Sequence, residues 1–193
     1  MTQTQMNPTD IELLATAAQL SDAFSDRAVE FDQARRLSQD ASDAMAQAGF
    51  YRLFVPEHLG GLEASPLISA KIFERLAQGN ASCGWVAFIA ATSGSTLGNI
   101  PEDTARAIFS HPNTMVAGVF APSGKATVEA GEVTVEGRWQ WGSGTQNADW
   151  ILGGCLVDAG ADKLSQHMIL MPAQQVEFLD TWHVSGLQGT GST

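Results

Sequence analysis

The sequence predicts an α+β fold in which the helices come first and the strands follow. Up to about residue 112, apolar residues recur at helical spacing between helix caps and helix breakers. From Met115 onward, β-branched residues form short runs separated by turns that contain Gly or Pro. This segregation of helices from strands indicates α+β organisation, whereas an alternating order would indicate a parallel sheet. We therefore predict a helical domain at 1–113 and a β domain at 114–193.

The helical half contains clear start and stop signals. An apolar stripe from Leu13 to Phe31 predicts a first helix, and Gly49 ends a second one that begins at Ser38. Ser65-Pro66 combines an N-cap with a proline in the first turn. The predicted helices are 10–31, 38–49, 65–79, 81–97 and 101–110.

Composition and charge exclude several classes of partner. The net charge is −11 and the pI is about 4.6, which argues against binding to nucleic acid or to an anionic membrane. The longest apolar run, Trp85 to Ala91, is too short to span a bilayer. Residues 1–10 lack the charged and apolar regions of a secretory signal, so we expect a cytoplasmic protein.

Metal and hydrolase chemistry are also not expected. Cys83 and Cys155 are far apart, and the four His residues show no ligand spacing. Ser143 lacks the strand–turn–helix context of a hydrolase nucleophile.

The most informative stretch is 133–154, which predicts a strand, a tight turn and a second strand. Gly142 and Gly144 flank Ser143, so the backbone there can approach a ligand closely and offer its N–H groups. Large flat apolar area comes from Trp139, Trp141 and Trp150. This combination suits a planar polar heterocycle such as a flavin ring. The alternative is a Trp-rich pair of strands that fills a β core.

The same stretch resembles the flavin-contacting segment of the acyl-CoA dehydrogenase superfamily, which has the pattern Gly-x-Lys-x-Trp-Ile-Thr. Gly137, Trp141 and Ser143 occupy the Gly, Trp and Thr places, while Trp139 stands where dehydrogenases usually have Lys. With Ala-Asp-Trp at 148–150, the stretch is more similar to the flavin-dependent monooxygenase branch. That branch includes the oxygenase components of two-component aromatic or steroid hydroxylases.

Three further segments resemble this superfamily in the same order along the chain. Residues 55–61 are similar to its Val-Pro-Glu-x-x-Gly-Gly segment. Residues 186–192 are similar to Gly-Leu-Arg-Gly-Thr-Gly-Ser, with Gln188 in the usual Arg place. Residues 120–124 keep Pro122 but lack the Thr-Glu that precedes it in dehydrogenases, and they resemble the Ala-Pro-x-Gly of the monooxygenases. We expect 120–124 to turn sharply after a short strand.

The resemblance implies positions for a cofactor and a substrate. Trp141 would pack on the flavin ring and Ser143 would hydrogen-bond near N5 or O4. The implied cofactor-binding residues are Phe120, Ala121, Pro122, Trp141, Gly142 and Ser143. The implied substrate-pocket residues are Thr92, Ser93 and Ser123. The alternative for a hydroxyl on the helix is a bond to a carbonyl of its own helix.

For the whole protein, the resemblance implies an oxygenase that uses reduced flavin, as FAD or FMN, and O2 on an aromatic or polycyclic small molecule. A separate flavin reductase would supply the cofactor, and the enzyme would be a homotetramer. The β domain would be an antiparallel, barrel-like domain that is incomplete here. A C-terminal helical bundle, absent from these 193 residues, would carry the catalytic base, so no catalytic residue is assigned.

Two alternatives remain open at this point. The first is an acyl-CoA dehydrogenase that uses FAD to desaturate acyl thioesters. The second is an inactive fragment, or a module that folds or binds only with a partner chain.

Overall fold

The computed structural model describes residues 8–158 and 164–193, and it confirms the α+β order. In the described part of the chain, six α-helices come first: α1 Pro8–Ser25, α2 Ala28–Ala34, α3 Gln39–Gln47, α4 Pro66–Gly79, α5 Ala81–Ser95 and α6 Glu102–Ile108. Four strands follow: β1 Val116–Glu129, β2 Glu132–Gly137, β3 Trp150–Asp158 and β4 Ser165–Pro172. Short 3-10 turns connect several of these elements.

The predicted first helix is two helices, because the chain breaks between Ser25 and Ala28. Arg27 lies at this break, and its guanidinium binds both Glu30 and Asp40 at 2.8 and 2.6 Å. These contacts lower the pKa of both carboxyl groups, in each case chiefly through the hydrogen bond from Arg27. The apolar stripe continues through the break, which is why periodicity alone predicted a single helix.

The helices pack closely and share their core with the sheet. A Cβ at Gly79 would lie 2.0 Å from the Ser21 carbonyl oxygen, so α1 and α4 approach each other at a position that only glycine fits. The main apolar cluster includes Phe31, Tyr51 and Ile72 and extends to Met115 and Ala117 at the start of the sheet. Since this core crosses the predicted boundary, the division into 1–113 and 114–193 stays a prediction.

The strands form an open, mostly antiparallel sheet with the order β2-β1-β3-β4. β1 and β2 are joined by the two-residue turn Ala130-Gly131, where both φ angles are positive, as the twist of a tight hairpin requires. β3 pairs with β4 antiparallel and with β1 parallel. The two strands predicted within 133–154 are present as β2 and β3, but the prediction of a tight turn between them was wrong, because β2 and β3 lie on opposite sides of β1. Residues 176–178 have the apolar pattern of a further strand, but the structure shows them to be irregular.

Residues 120–124 do not turn between strands as expected but bulge within β1. Against β3, Val119 pairs with Gly153 and Gly124 pairs with Cys155, so residues 120–123 lie opposite Gly154 alone. A Cβ at Gly154 would lie 2.3 Å from the Phe120 carbonyl oxygen. The missing side chain therefore makes room for the bulge, which exposes residues 120–123.

None of the helices in this described part of the chain is long and apolar enough to cross a membrane.

Candidate functional site

Trp141 presents its ring to solvent from a constrained backbone position. It is 72% exposed, and its φ of +65° lies in the left-handed region that bulky residues seldom adopt. The chain enters a compact turn immediately afterwards, with Gly142 and Ser143 buried. An exposed indole on a rigid turn is a suitable platform for a flat ligand.

Ser143 connects this turn to helix α5. Its hydroxyl accepts a hydrogen bond of 2.9 Å from the indole Nε1 of Trp85, which is 43% exposed. The Trp85 ring packs against Phe88 with centroids 5.4 Å apart. An indole from helix α5 thus reaches Ser143, which follows Trp141 by two residues. The sequence did not lead us to Trp85. The feature that could have indicated it is an indole among the small residues of α5.

The N–H groups of the turn are not available to a ligand, contrary to the expectation. Gly142 donates to the Thr193 carbonyl at 3.0 Å, and Gly144 donates to the Thr190 carbonyl at 2.8 Å. The Ser143 N–H donates to the carbonyl of Trp141. The glycines here allow close packing inside the protein: Gly144 has a φ of +72°, and a Cβ there would meet a Met115 methyl at 2.8 Å.

The Gly-rich segment 187–193 packs into the protein, where it holds the Trp141 turn. A Cβ at Gly189 would lie 3.1 Å from both Phe31 and Ser82, and one at Gly191 would lie 3.0 Å from the Arg35 carbonyl oxygen. Residues 189–192 are buried. The segment therefore ties the turn to helices α2 and α5.

An ion pair fixes the chain just before this segment. The Arg35 guanidinium donates to both carboxylate oxygens of Asp180, at 2.5 and 2.9 Å. This bidentate contact lowers the pKa of Asp180 and raises that of Arg35. Arg35 has a φ of +53° at the end of α2, which directs the chain into α3.

Trp139 is part of the sheet core, as the alternative interpretation of the Trp-rich stretch predicted. Its ring covers three glycines on neighbouring strands, and a Cβ at any of them would lie within 3.0 Å of the ring: Gly124, Gly137 and Gly153. Its Nε1 donates to the Gly154 carbonyl at 2.8 Å. The three indoles of the stretch therefore differ in role, and Trp141 is the highly exposed one.

A cavity of about 360 Å³ lies beside the sheet, lined in part by Trp139, Leu152, Met171 and Leu179. Of the predicted site residues, only Gly142 lines it. The exposed face of Trp141 and the bulge at 120–123 lie outside its lining.

The three predicted substrate residues differ in environment. Thr92 donates its hydroxyl to the Phe88 carbonyl at 2.8 Å, as the helix-carbonyl alternative predicted. Ser93 is buried, and Ser123 is exposed on the bulge. A role for these residues in substrate binding stays a prediction, as do the cofactor contacts of 120–122 and 141–143.

Comparisons with known proteins show which family and which fold this chain is similar to. Residues 7–101 match the family model "Acyl-CoA dehydrogenase, N-terminal domain". An indole-3-acetate monooxygenase of Pseudomonas putida is 37% identical over 177 residues, which are 90% of this chain and 45% of that protein. The flavin-dependent monooxygenase oxygenase subunit HsaA of Mycobacterium tuberculosis is 31% identical over 181 residues, which are 93% of this chain and 46% of that protein.

Solved structures show the same relationship. The crystal structure of the HsaA monooxygenase from M. tuberculosis superimposes with a TM-score of 0.86 at 30% identity, over 95% of this chain and 48% of that one. XiaF from Streptomyces sp., in complex with FADH2 and glycerol, superimposes with a TM-score of 0.83 at 27% identity, over 95% of this chain and 47% of that one.

The chain spans about half the length of the curated relatives it matches. The family match covers helices only, whereas the relatives and the superpositions extend over both the helices and the sheet. The chain belongs to the acyl-CoA dehydrogenase superfamily and is similar there to the oxygenase components of flavin-dependent monooxygenases.

Proposed function

We propose that this protein is the oxygenase component of a flavin-dependent monooxygenase, which uses reduced flavin and O2 to hydroxylate an aromatic or polycyclic small molecule. The observation that carries the proposal is the exposed Trp141 indole, set on a rigid turn next to Ser143. The names of the relatives support it, because both describe monooxygenases, one of them flavin-dependent, and one of the solved structures holds FADH2. As part of the same proposal, a flavin reductase supplies the cofactor to a cytoplasmic homotetramer.

The residues present fit a flavin. A planar ring gains most from a flat apolar partner, and Trp141 leaves 72% of its surface free for one. The bulge at 120–123 adds exposed residues, including Phe120, whose side chain supplies a second exposed aromatic ring. Pro122 has no N–H and holds its φ near −65°, which limits the freedom of the bulge. FAD and FMN share the ring, so these contacts suit either cofactor.

Each of these groups has a separate task in the proposed site. When bound, the reduced flavin supplies the electrons that activate O2. Trp141 binds one face of the ring and orients it, and Ser143 holds the ring edge through its hydroxyl. The aromatic pair Trp85 and Phe88 provides apolar surface that excludes water from the same region and accepts an aromatic substrate.

The test is a binding titration of the purified protein with FMN and FAD, each oxidised and anaerobically reduced, followed by visible absorption and Trp fluorescence. We expect binding with a shifted, structured flavin band and quenched Trp emission. Failure to bind any of the four species would refute the assignment and favour a partner-dependent module. If flavin is bound and acyl-CoA reduces it without a reductase or NAD(P)H, the protein is a dehydrogenase instead.

A further inference from the structure

Ser143 lies at one end of a chain of three buried hydroxyls, and the proposed function does not use the other two. Its Oγ lies 2.7 Å from Ser192 Oγ, and Ser192 Oγ lies 2.7 Å from Thr190 Oγ1. The chain ends at the Leu187 carbonyl, 2.8 Å from Thr190 Oγ1, and it begins at the Nε1 of Trp85. The three hydroxyl residues are at most 7% exposed, so water does not compete for these bonds.

The two ends set the direction of the chain. An indole N–H can only donate and a carbonyl can only accept. Thr190 therefore gives its one hydrogen to Leu187, so the bond between Thr190 and Ser192 needs the hydrogen of Ser192. The bond between Ser192 and Ser143 then needs the hydrogen of Ser143.

Reversing the chain has a definite cost. Thr190 would then donate to Ser192, which removes its bond to the Leu187 carbonyl and leaves two acceptor oxygens 2.8 Å apart. With the direction as found, Ser143 accepts from Trp85 and donates to Ser192, so it has no hydrogen left for a ligand. It keeps one lone pair, and so it offers an acceptor.

We infer that Thr190 and Ser192 are positioning residues that make Ser143 an acceptor toward the bound ring and so favour reduced over oxidised flavin. Reduced flavin carries a hydrogen on N5, whereas N5 of the oxidised ring is itself an acceptor. A hydroxyl that only accepts can bond to the N5 hydrogen of reduced flavin. It cannot bond to N5 of oxidised flavin, because both atoms are then acceptors. The inference rests on the proposed function, because it needs the flavin edge at Ser143.

The test is Thr190→Val, with Thr190→Ser as the matched control. Valine keeps the shape of threonine but cannot accept a hydrogen bond, so the hydrogen of Ser192 is released and can turn to Ser143. Ser143 can then donate to the oxidised ring. Serine keeps the hydroxyl and therefore the direction of the chain.

The readout is the dissociation constant of oxidised FMN divided by that of reduced FMN. The midpoint potential of the bound flavin gives the same ratio by an independent measurement. Because the substitution changes one hydrogen bond to the flavin ring, we expect Thr190→Val to lower this ratio roughly fivefold. That change moves the potential about 20 mV more negative for a two-electron couple. Thr190→Ser should stay within about twofold of the unsubstituted protein, and far-UV circular dichroism confirms that both variants are folded.

The outcomes separate the two proposals. If a folded Thr190→Val protein still binds flavin and the ratio is unchanged, the inference about Thr190 and Ser192 is overturned. The proposal that the protein binds flavin is then unaffected. An equal fall in both variants shows that the effect does not depend on the hydroxyl at position 190, because serine keeps it and valine does not, and this also overturns the inference. If the unsubstituted protein binds neither oxidised nor reduced flavin, the proposed function fails and the inference about Thr190 and Ser192 fails with it.

Discussion

The Gly124→Ala substitution tests whether the indole of Trp139 needs a sheet surface without side chains. Gly124 lies in β1 beneath this ring, and Gly137 and Gly153 lie beneath it on the two neighbouring strands. A methyl group at position 124 would lie 2.4 Å from Trp139 Cζ2 and 2.7 Å from Cys155 Sγ. Carbon atoms in contact are normally about 3.5–4.0 Å apart, so the ring must move by about 1 Å or more.

The ring is not free to move without loss. Its Nε1 donates to the Gly154 carbonyl at 2.8 Å, and a shift of this size weakens or breaks that bond. Overpacking a core costs about 1–3 kcal/mol, and a lost hydrogen bond adds about 1 kcal/mol. We therefore expect Gly124→Ala to lower the free energy of unfolding by about 2–4 kcal/mol. For a chain of this size that lowers Tm by about 4–16 °C.

Urea denaturation followed by circular dichroism, together with a thermal melt, measures this change. The matched control is Gly186→Ala, because a Cβ at Gly186 meets no atom within 4 Å. That substitution should change stability by no more than about 1 kcal/mol, through its effect on the unfolded chain. A double variant that also carries Trp139→Leu removes the atom that clashes, so the two changes should be non-additive by about 1–2 kcal/mol.

Two results would refute this reasoning. If Gly124→Ala costs no more than Gly186→Ala, the ring does not depend on the glycine surface. If the double variant is simply additive, the cost arises at Cys155 or in the strand backbone and the Trp139 contact is not its source.

Three further predictions follow from exposure and charge. Trp141→Ala should leave the free energy of unfolding within about 0.5 kcal/mol, yet weaken flavin binding roughly tenfold in a fluorescence titration; equal binding would remove Trp141 from the site. Asp180→Asn should lower Tm slightly at pH 7. Because Arg35 depresses the pKa of Asp180, the stabilisation is present above the unfolded pKa and disappears as pH falls below about 4, where the two melting curves should converge. Burial raises the pKa of the Cys83 thiol to about 12 and also raises that of Cys155, so neither should react with a thiol reagent at pH 8 until guanidinium unfolds the protein.

The sequence predicted most helices because their signals are local. The N-cap Ser65 accepts a hydrogen bond from Ile68, and Gly49 ends α3 with a φ of +78°, both as expected from residue type. The Ala130-Gly131 turn is local in the same way, since its positive φ angles depend on two adjacent residues. The interruption at Arg27 is not local, because the ion pairs formed there involve Asp40, which lies in another helix.

The candidate site shows the same division. Residue type and spacing predicted Trp141 and Ser143 as site residues, and they also suggested that the neighbouring N–H groups would be free. The tertiary structure instead joins those groups to residues 190–193, which the sequence places some 50 positions away. It also brings Trp85 to Ser143 from helix α5. No local pattern predicts a hydrogen bond between residues separated in this way.

The sequence by itself determined the order of helices and strands and the resemblance to the family, and it predicted residues that would bind a flavin. These depend on composition, short-range periodicity and motifs, all of which are present in the sequence alone. Only the tertiary structure decided that Trp139 is partly buried against the sheet while Trp141 is exposed, because the difference lies in three glycines brought together from separate strands. It likewise decided the direction of the hydroxyl chain, since its fixed donor at Trp85 and its fixed acceptor at Leu187 meet only after folding.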